Sequence, residues 1–146
     1  MTEKDPLIVY IRKADKKDFE RLSDKDSPFS ERDKKELFLM AMATGFRNGN
    51  RISFKEGDRD GTGFIRTEYL SDRDKSIIKA IAVSDAGNLE ILLDKKKVYR
   101  IAEEYAAGGI KQLKEEVFGG EFGSYPKRLE VELLEQLKKL PKRGTD

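Results

Sequence analysis

Apolar residues at helical spacing between positions 98 and 117 constrain the fold of this chain more than any other feature. They recur at i, i+3, i+4, i+7 and i+8, which places them on one face of an α-helix. The stripe consists of Val98, Ile101, Ala102, Tyr105, Ala106, Ile110, Leu113 and Val117. The pair Gly108 and Gly109 interrupts it, and we expect these glycines to kink or split the helix. The sequence therefore predicts a long helix with one buried face.

An earlier helix is indicated by Ser30 followed three residues later by Asp33. The serine oxygen can accept a hydrogen bond from a free N–H of the first turn, and the acid suits the positive end of a helix. The apolar face of this helix consists of Leu37, Phe38, Met40, Ala41 and Ala43. We expect the helix to stop near Gly45, because glycine commonly follows the last helical turn.

Two more helices are predicted on either side of the long one. Ser71 and Asp74 repeat the capping pattern, and that helix is expected to end around Gly87. Its buried stripe consists of Ile77, Ile78, Ile81 and Ala82. A C-terminal helix follows a linker rich in glycine and ends at Pro141. It carries Leu129, Leu133, Leu134, Leu137 and Leu140.

Extended segments are expected between these helices. The β-branched run at residues 7–11 predicts a short strand, and the charged stretch at residues 16–22 has helical potential. Residues 46–67 are broken by glycines and contain two short extended pieces, which predict a small hairpin with a long polar tip. The pieces are marked by Ile52, Phe54, Phe64 and Ile65.

The fold class that follows is mainly α: a compact helical domain of about four helices with a small β-hairpin or extended segments. We expect an N-terminal arm with a short strand and helix at residues 1–28, a helical core domain at residues 29–118, and a linker with a C-terminal helix at residues 119–146. The last helix is expected to pack on the core or on a partner.

Composition excludes several classes of function. The 146 residues include 30 Lys and Arg against 28 Asp and Glu, a net charge of +2, so that any nucleic-acid surface must come from local clustering. There is no Cys and no His, which removes disulfides, thiolate or imidazole zinc sites and His-dependent catalytic triads. The charged N-terminus and the lack of long apolar runs predict a cytoplasmic protein without a membrane span.

A series of segments, in this order and spacing, resembles a known family. The segments are FLMAMATGF at residues 38–46, FIRTEYL at 64–70, LEILLD at 89–94 and IAEEYAAGGI at 101–110. Together they are similar to the small family called dnd system-associated protein 4, found beside DNA phosphorothioation genes in prokaryotes. The resemblance implies a place in a defence system that puts sulfur in the DNA backbone and restricts DNA lacking it. It carries no catalytic residue that can be transferred to this chain.

The candidate nucleic-acid-binding residues are basic and lie in two groups. The first group follows the helix that ends near Gly45, where glycine backbone can approach phosphate and arginine can pair with it. It consists of Arg47, Asn48, Arg51, Lys55 and Arg66. The second group, Lys95 and Lys96, opens the long helix, where backbone N–H groups and lysines together could hold an anion. Alternatively, these lysines extend into water, or the helix begins earlier near Leu89 and places them in mid-helix.

Metal and carboxylate sites have weaker support. The loop from Asp58 to Glu68 resembles a calcium-binding loop, but its glutamate falls one position short of the closing ligand, so a glycine- and aspartate-rich turn is the better interpretation. The acids Glu103 and Glu104 are expected to face solvent. Tyr105 is expected in the core and not as a stacking platform for bases. No cofactor is predicted.

We therefore expect a non-enzymatic accessory component of a DNA phosphorothioation-linked defence system, which contacts DNA or docks on a DNA-processing partner. The partners would be DNA and other components of the same system. The alternative is a protein-protein adaptor or oligomerisation module with no nucleic-acid binding, in which the C-terminal helix forms a homo-oligomer. A small carboxylate-dependent hydrolase is the third interpretation.

Overall fold

The computed structural model describes residues 4–23 and 34–119. Its helices are α1 (Lys16–Leu22), α2 (Lys34–Arg47), α3 (Asp72–Ala86) and α4 (Lys95–Gly119). Two short strands, β1 (Ile8–Val9) and β2 (Ile65–Arg66), accompany them, together with 3₁₀ turns at Lys13–Asp15, Thr67–Tyr69 and Leu89–Leu93. The predicted mainly α class is confirmed. Among these residues, no helix is both long and apolar enough to cross a membrane.

The long helix α4 lies at the centre of the fold. Every residue from 101 to 110 is buried, so that the middle of this helix is covered on all sides and not on one face only. Helices α1, α2 and α3 all pack against it, and α2 makes the most extensive contact. The predicted stripe from Val98 to Val117 is buried throughout, which confirms the helical spacing. The expected split at Gly108 and Gly109 is wrong, because α4 runs through both residues.

Glycines bring the backbones of α2 and α4 together. A Cβ added to Gly45 would lie 2.0 Å from the carbonyl oxygen of Tyr105, and one added to Gly109 would lie 1.9 Å from that of Ala41. Since a side chain at either position would overlap backbone atoms, the two helices can cross this closely only at glycine. Helix α2 ends at Arg47, near the predicted position, but Gly45 lies inside the helix and is not the residue that ends it.

The two strands pair in a way that local pattern did not indicate. Strand β2 is antiparallel to β1, with Val9 opposite Ile65 and Ile8 opposite Arg66. The predicted hairpin between residues 52–54 and 64–65 is therefore wrong in its pairing. The N-terminal segment continues alongside the polar loop, because the Asp60 N–H donates to the Ile11 carbonyl oxygen at 2.9 Å.

Helix ends follow the capping signals wherever these are described. Ser71 and Asp74 form a reciprocal capping box at the start of α3, and Gly87 ends that helix with a φ of 77°, in the left-handed region. Helix α4 begins at Lys95, where the Asp94 carboxylate accepts from the Lys97 N–H at 3.1 Å. The lysines are thus in the first turn, and the alternative start near Leu89 is wrong.

Several predictions fall outside the described residues. They concern the cap formed by Ser30 and Asp33, the glycine-rich linker beyond Gly119 and the C-terminal helix that ends at Pro141.

Candidate nucleic-acid interface

The structure separates the predicted basic residues into distant groups. Arg47 ends α2 and lies 3.6 Å from Glu116 near the C-terminal end of α4. Its neighbour Asn48 donates from its amide to Gln112 at 2.7 Å. Because a helix rises about 1.5 Å per residue, Glu116 and Lys95 are about 30 Å apart along α4. Arg47 and Asn48 therefore do not share one phosphate-binding surface with Lys95 and Lys96.

Arg51 is held between two carboxylates. Its Nε donates to Glu104 on α4 at 2.7 Å, and its Nη1 donates to Asp85 on α3 at 2.5 Å. Asp85 also accepts from the hydroxyl of Tyr105 at 2.6 Å, so that the network joins two helices to the loop after α2. The guanidinium group of Arg51 is already engaged in two charge-assisted hydrogen bonds within the protein.

Glu103 and Glu104 are buried, with 2% and 4% of their surface exposed. The expectation that they face solvent is wrong. Glu103 accepts from Arg59 Nη2 at 2.8 Å and from the Tyr10 N–H at 2.9 Å. A buried carboxylate is stable only when it is paired or hydrogen-bonded, and each glutamate meets this requirement with an arginine from the same loop.

These contacts attach the loop at residues 51–60 to the middle of α4. The Phe54 N–H donates to the Glu104 carboxylate at 3.2 Å, and the Ile52 N–H donates to the Glu104 backbone oxygen at 3.1 Å. The sequence did contain a signal for this arrangement: residues 101–110 hold two adjacent acids and no other charged residue. An acid pair in an otherwise uncharged and apolar run favours burial against basic partners.

Glu103 gives the stability of the protein an unusual pH dependence. Burial raises the pKa of Glu103 to about 7, although the hydrogen bonds from Tyr10 and Arg59 favour the ionised form. A carboxyl whose pKa is higher in the folded than in the unfolded chain stabilises the fold fully below its ordinary value of 4.5, and this contribution is lost as the pH rises through about 7. We therefore expect about 2 kcal/mol of unfolding free energy to be lost between pH 5 and pH 7.5.

Urea unfolding at these two pH values measures that loss, and Glu103→Gln is the control because it cannot titrate. The chain has no histidine, so few other groups change charge in this range. A pH dependence that is the same in the Glu103→Gln variant would contradict the assignment.

Two further predicted cations, Lys55 and Arg66, are exposed. Lys55 lies at the surface of the loop, where its backbone N–H, and not its side chain, donates to Asp58. Arg66 donates from Nε to Glu68, and both side chains are more than half exposed. An exposed pair of this kind contributes little to stability and leaves the guanidinium accessible.

The first turns of α4 present cations on one side. Lys96, Lys97 and Arg100 are exposed and fall within about 100° of each other around the helix. None of the three forms an ion pair with another described residue, although Arg100 is close enough to Glu103 to favour its ionised form. Lys95 is half-buried beside them.

Two leucines lie in the 3₁₀ turn Leu89–Leu93, just before these cations in the chain. Leu89 is 64% exposed and Leu93 is 80% exposed, whereas Ile91 between them is buried in the core. We call five of the exposed residues here the α4-start surface; the acids Glu90 and Asp94 are exposed beside them. The surface consists of Leu89, Leu93, Lys96, Lys97 and Arg100.

The other candidate groups are accounted for by packing or turns. Tyr105 is buried, as predicted, and so is Tyr99, whereas Tyr69 is exposed. In the aspartate-rich loop, the Asp60 carboxylate accepts from the N–H and the hydroxyl of Thr62 at 3.2 and 3.0 Å. No three His, Cys, Asp or Glu side chains within residues 4–23 and 34–119 are grouped so that they could hold a metal ion.

Comparison with known proteins connects this fold to DNA modification. Residues 10–145 match the family described as DNA sulphur modification system-associated protein 4. No curated protein and no solved structure matches the sequence. The family match covers more than nine-tenths of the chain and confirms the resemblance of the segments between residues 38 and 110. The chain belongs to the DNA sulphur modification system-associated protein 4 family.

Proposed function

We propose that this protein is a non-enzymatic accessory component of a DNA sulphur modification system and contacts the DNA backbone through Lys96, Lys97 and Arg100. The observation that carries the proposal is the exposure of these three cations on one side of α4 without an ion-pair partner among the described residues. Binding would be electrostatic and would not depend on base sequence, since lysine and arginine side chains neutralise phosphates.

The start of a helix favours this role. The first backbone N–H groups of α4 carry partial positive charge, to which the three cations add. Placing lysines here opposes the helix dipole, and a local conflict of this kind is typical of a functional surface. By contrast, Arg47 and Arg51 already pair with Glu116 and Glu104, and phosphate would have to displace these carboxylates.

The non-enzymatic part of the proposal rests on composition. Without Cys or His, the chain lacks the residues most often used as nucleophile, general base or transition-metal ligand. The two buried glutamates already have arginine partners, which suits a structural role.

A double substitution tests the DNA contact. We expect Lys96→Ala with Lys97→Ala to weaken binding to duplex DNA at least tenfold at about 50 mM salt and to reduce the slope of log affinity against log salt by about two. Fluorescence anisotropy with labelled DNA between about 50 and 200 mM salt measures both quantities.

The matched control is Lys13→Ala with Lys17→Ala, which removes the same charge from exposed lysines near α1. An equal loss of affinity in both double variants would show that only net charge matters, and no binding by the native protein at micromolar concentration would overturn the proposal. The same titration with sulfur-modified DNA measures whether modification is recognised.

A second candidate function is protein docking, as an adaptor without nucleic-acid binding. The exposure of Leu89 and Leu93 specifically favours it, since apolar side chains gain little from phosphate but are stabilised by burial against a partner. Salt-independent association with another component of the system would support this function over DNA contact.

A further inference from the structure

The α4-start surface combines two properties that a partner has to match. Leu89 and Leu93 offer an apolar contact, and the cations Lys96, Lys97 and Arg100 attract acidic groups. Since adjacent leucines and cations are best covered by adjacent leucines and acids, a short amphipathic acidic segment fits this surface. The protein itself contains such a segment.

Residues 129–137 have the sequence LEVELLEQL and lie outside the described residues. Leu129, Leu133 and Leu137 are spaced four residues apart, which is the spacing of one helical face. Three glutamates and no basic residue accompany them; these are Glu130, Glu132 and Glu135. The family match extends to residue 145, so this segment belongs to the family's common domain and not to a chance extension.

We propose that residues 129–137 of one copy of this protein dock on the α4-start surface of a second copy, with leucine against leucine and glutamate against lysine and arginine. Each copy carries one segment and one surface, and the proposed exchange is the reciprocal one, in which two copies close as a two-fold dimer. The proposal concerns self-association, and since the segment covers the cations that the proposed function assigns to DNA, DNA and the segment compete for this surface.

The length of the linker favours a second copy over the segment's own surface. Helix α4 ends at Gly119, about 34 Å of helix from Lys96. The ten residues from Gly119 to Leu129 can reach at most about 33–36 Å. Docking within one chain would therefore require a nearly straight linker, whereas docking on a second copy does not.

Charge reversal in two separate chains tests the exchange. In one variant, Lys96→Glu and Lys97→Glu make the surface acidic; in the other, Glu130→Lys and Glu132→Lys make the segment basic. Light scattering without DNA should give twice the 16.7 kDa chain mass for the native protein over a dilution series, and the monomer mass for each variant alone. Mixing the two variants should restore the doubled mass, because each surface then meets a segment of opposite charge.

The matched control, Lys13→Glu with Lys17→Glu, reverses the same number of charges elsewhere and should leave the native dimer unchanged. Circular dichroism of every variant verifies that the helices are intact. A monomeric native protein at all concentrations would overturn the proposal, and so would a mixture of variants that remains monomeric.

A disulfide trap identifies the contact itself. The chain has no cysteine, so the variants Leu93→Cys and Leu133→Cys each carry a single thiol, and a mixture of the two contains only these thiols. Oxidation should link the two chains into a covalent heterodimer. A chain carrying both substitutions that instead closes an internal disulfide as a monomer would assign the segment to its own surface and overturn the exchange between copies.

Discussion

Replacing Gly109 by alanine is expected to lower the free energy of unfolding by about 3 kcal/mol or more. The added methyl carbon would lie 1.9 Å from the Ala41 carbonyl oxygen and 2.4 Å from the Gly45 nitrogen. These are backbone atoms inside two packed helices, so no side-chain rotation can relieve the overlap, and α2 and α4 would have to move apart. Urea denaturation followed by circular dichroism measures the loss.

Gly61→Ala is the matched control for this substitution. Gly61 lies in the polar loop, does not have a positive φ, and has no atom within 4 Å of the position that an added methyl group would take. We expect its effect to stay within about 0.5 kcal/mol. Equal stability of the two variants would mean that the helices do not cross at Gly109.

Replacing Glu104 by alanine is expected to destabilise the protein by about 3–5 kcal/mol. The substitution leaves Arg51 with Asp85 alone, removes the acceptor of the Phe54 N–H and opens a cavity beside the centre of α4. The loss should appear as a lower midpoint of urea unfolding. The double variant Arg51→Ala with Glu104→Ala should lose less than the sum of the single losses. Removing Arg51 alone leaves the buried Glu104 carboxylate without its arginine partner, and the double variant does not incur this cost.

The exposed pair of Arg66 and Glu68 supplies the control. Both residues are more than half exposed, so Glu68→Ala should change the unfolding free energy by less than about 1 kcal/mol. Similar losses for Glu68→Ala and Glu104→Ala would contradict the burial of Glu104 on α4.

Much of the helical structure could be predicted because its signals are local. The spacing of Val98, Ile101 and Tyr105 predicted the buried face of α4, and Ser71 with Asp74 predicted the start of α3. The pairing of β1 with β2 could not be predicted in this way, because each strand has only two residues and its partner lies more than 50 residues away.

The helix breaks predicted from glycine failed for a physical reason. Glycine has low helix propensity, but at Gly45 and Gly109 the packing of a second helix determines the conformation. Contact between the two backbones stabilises the helices where propensity alone would end them.

The candidate interface was predicted only in part. Positive charge marked Arg51, Arg66 and Lys96 equally in the sequence. Only the fold distinguishes the arginine that pairs with a buried glutamate 53 residues later from the lysine that extends into water. The burial of Glu103 and Glu104 could not be predicted for the same reason, because each buried carboxylate depends on an arginine that is distant in sequence.

Because protein synthesis proceeds from the N-terminus to the C-terminus, α4 is made after the other helices and strands that the structure describes. The Tyr10 backbone, the loop at 51–60 and helix α2 all contact α4, which leaves the ribosome after them. Until α4 emerges, the apolar face of α2 lacks its main packing partner among the described residues. We expect a nascent chain that ends before α4 to remain unfolded and to need protection from aggregation, and the native structure to form in one step once the central helix is complete.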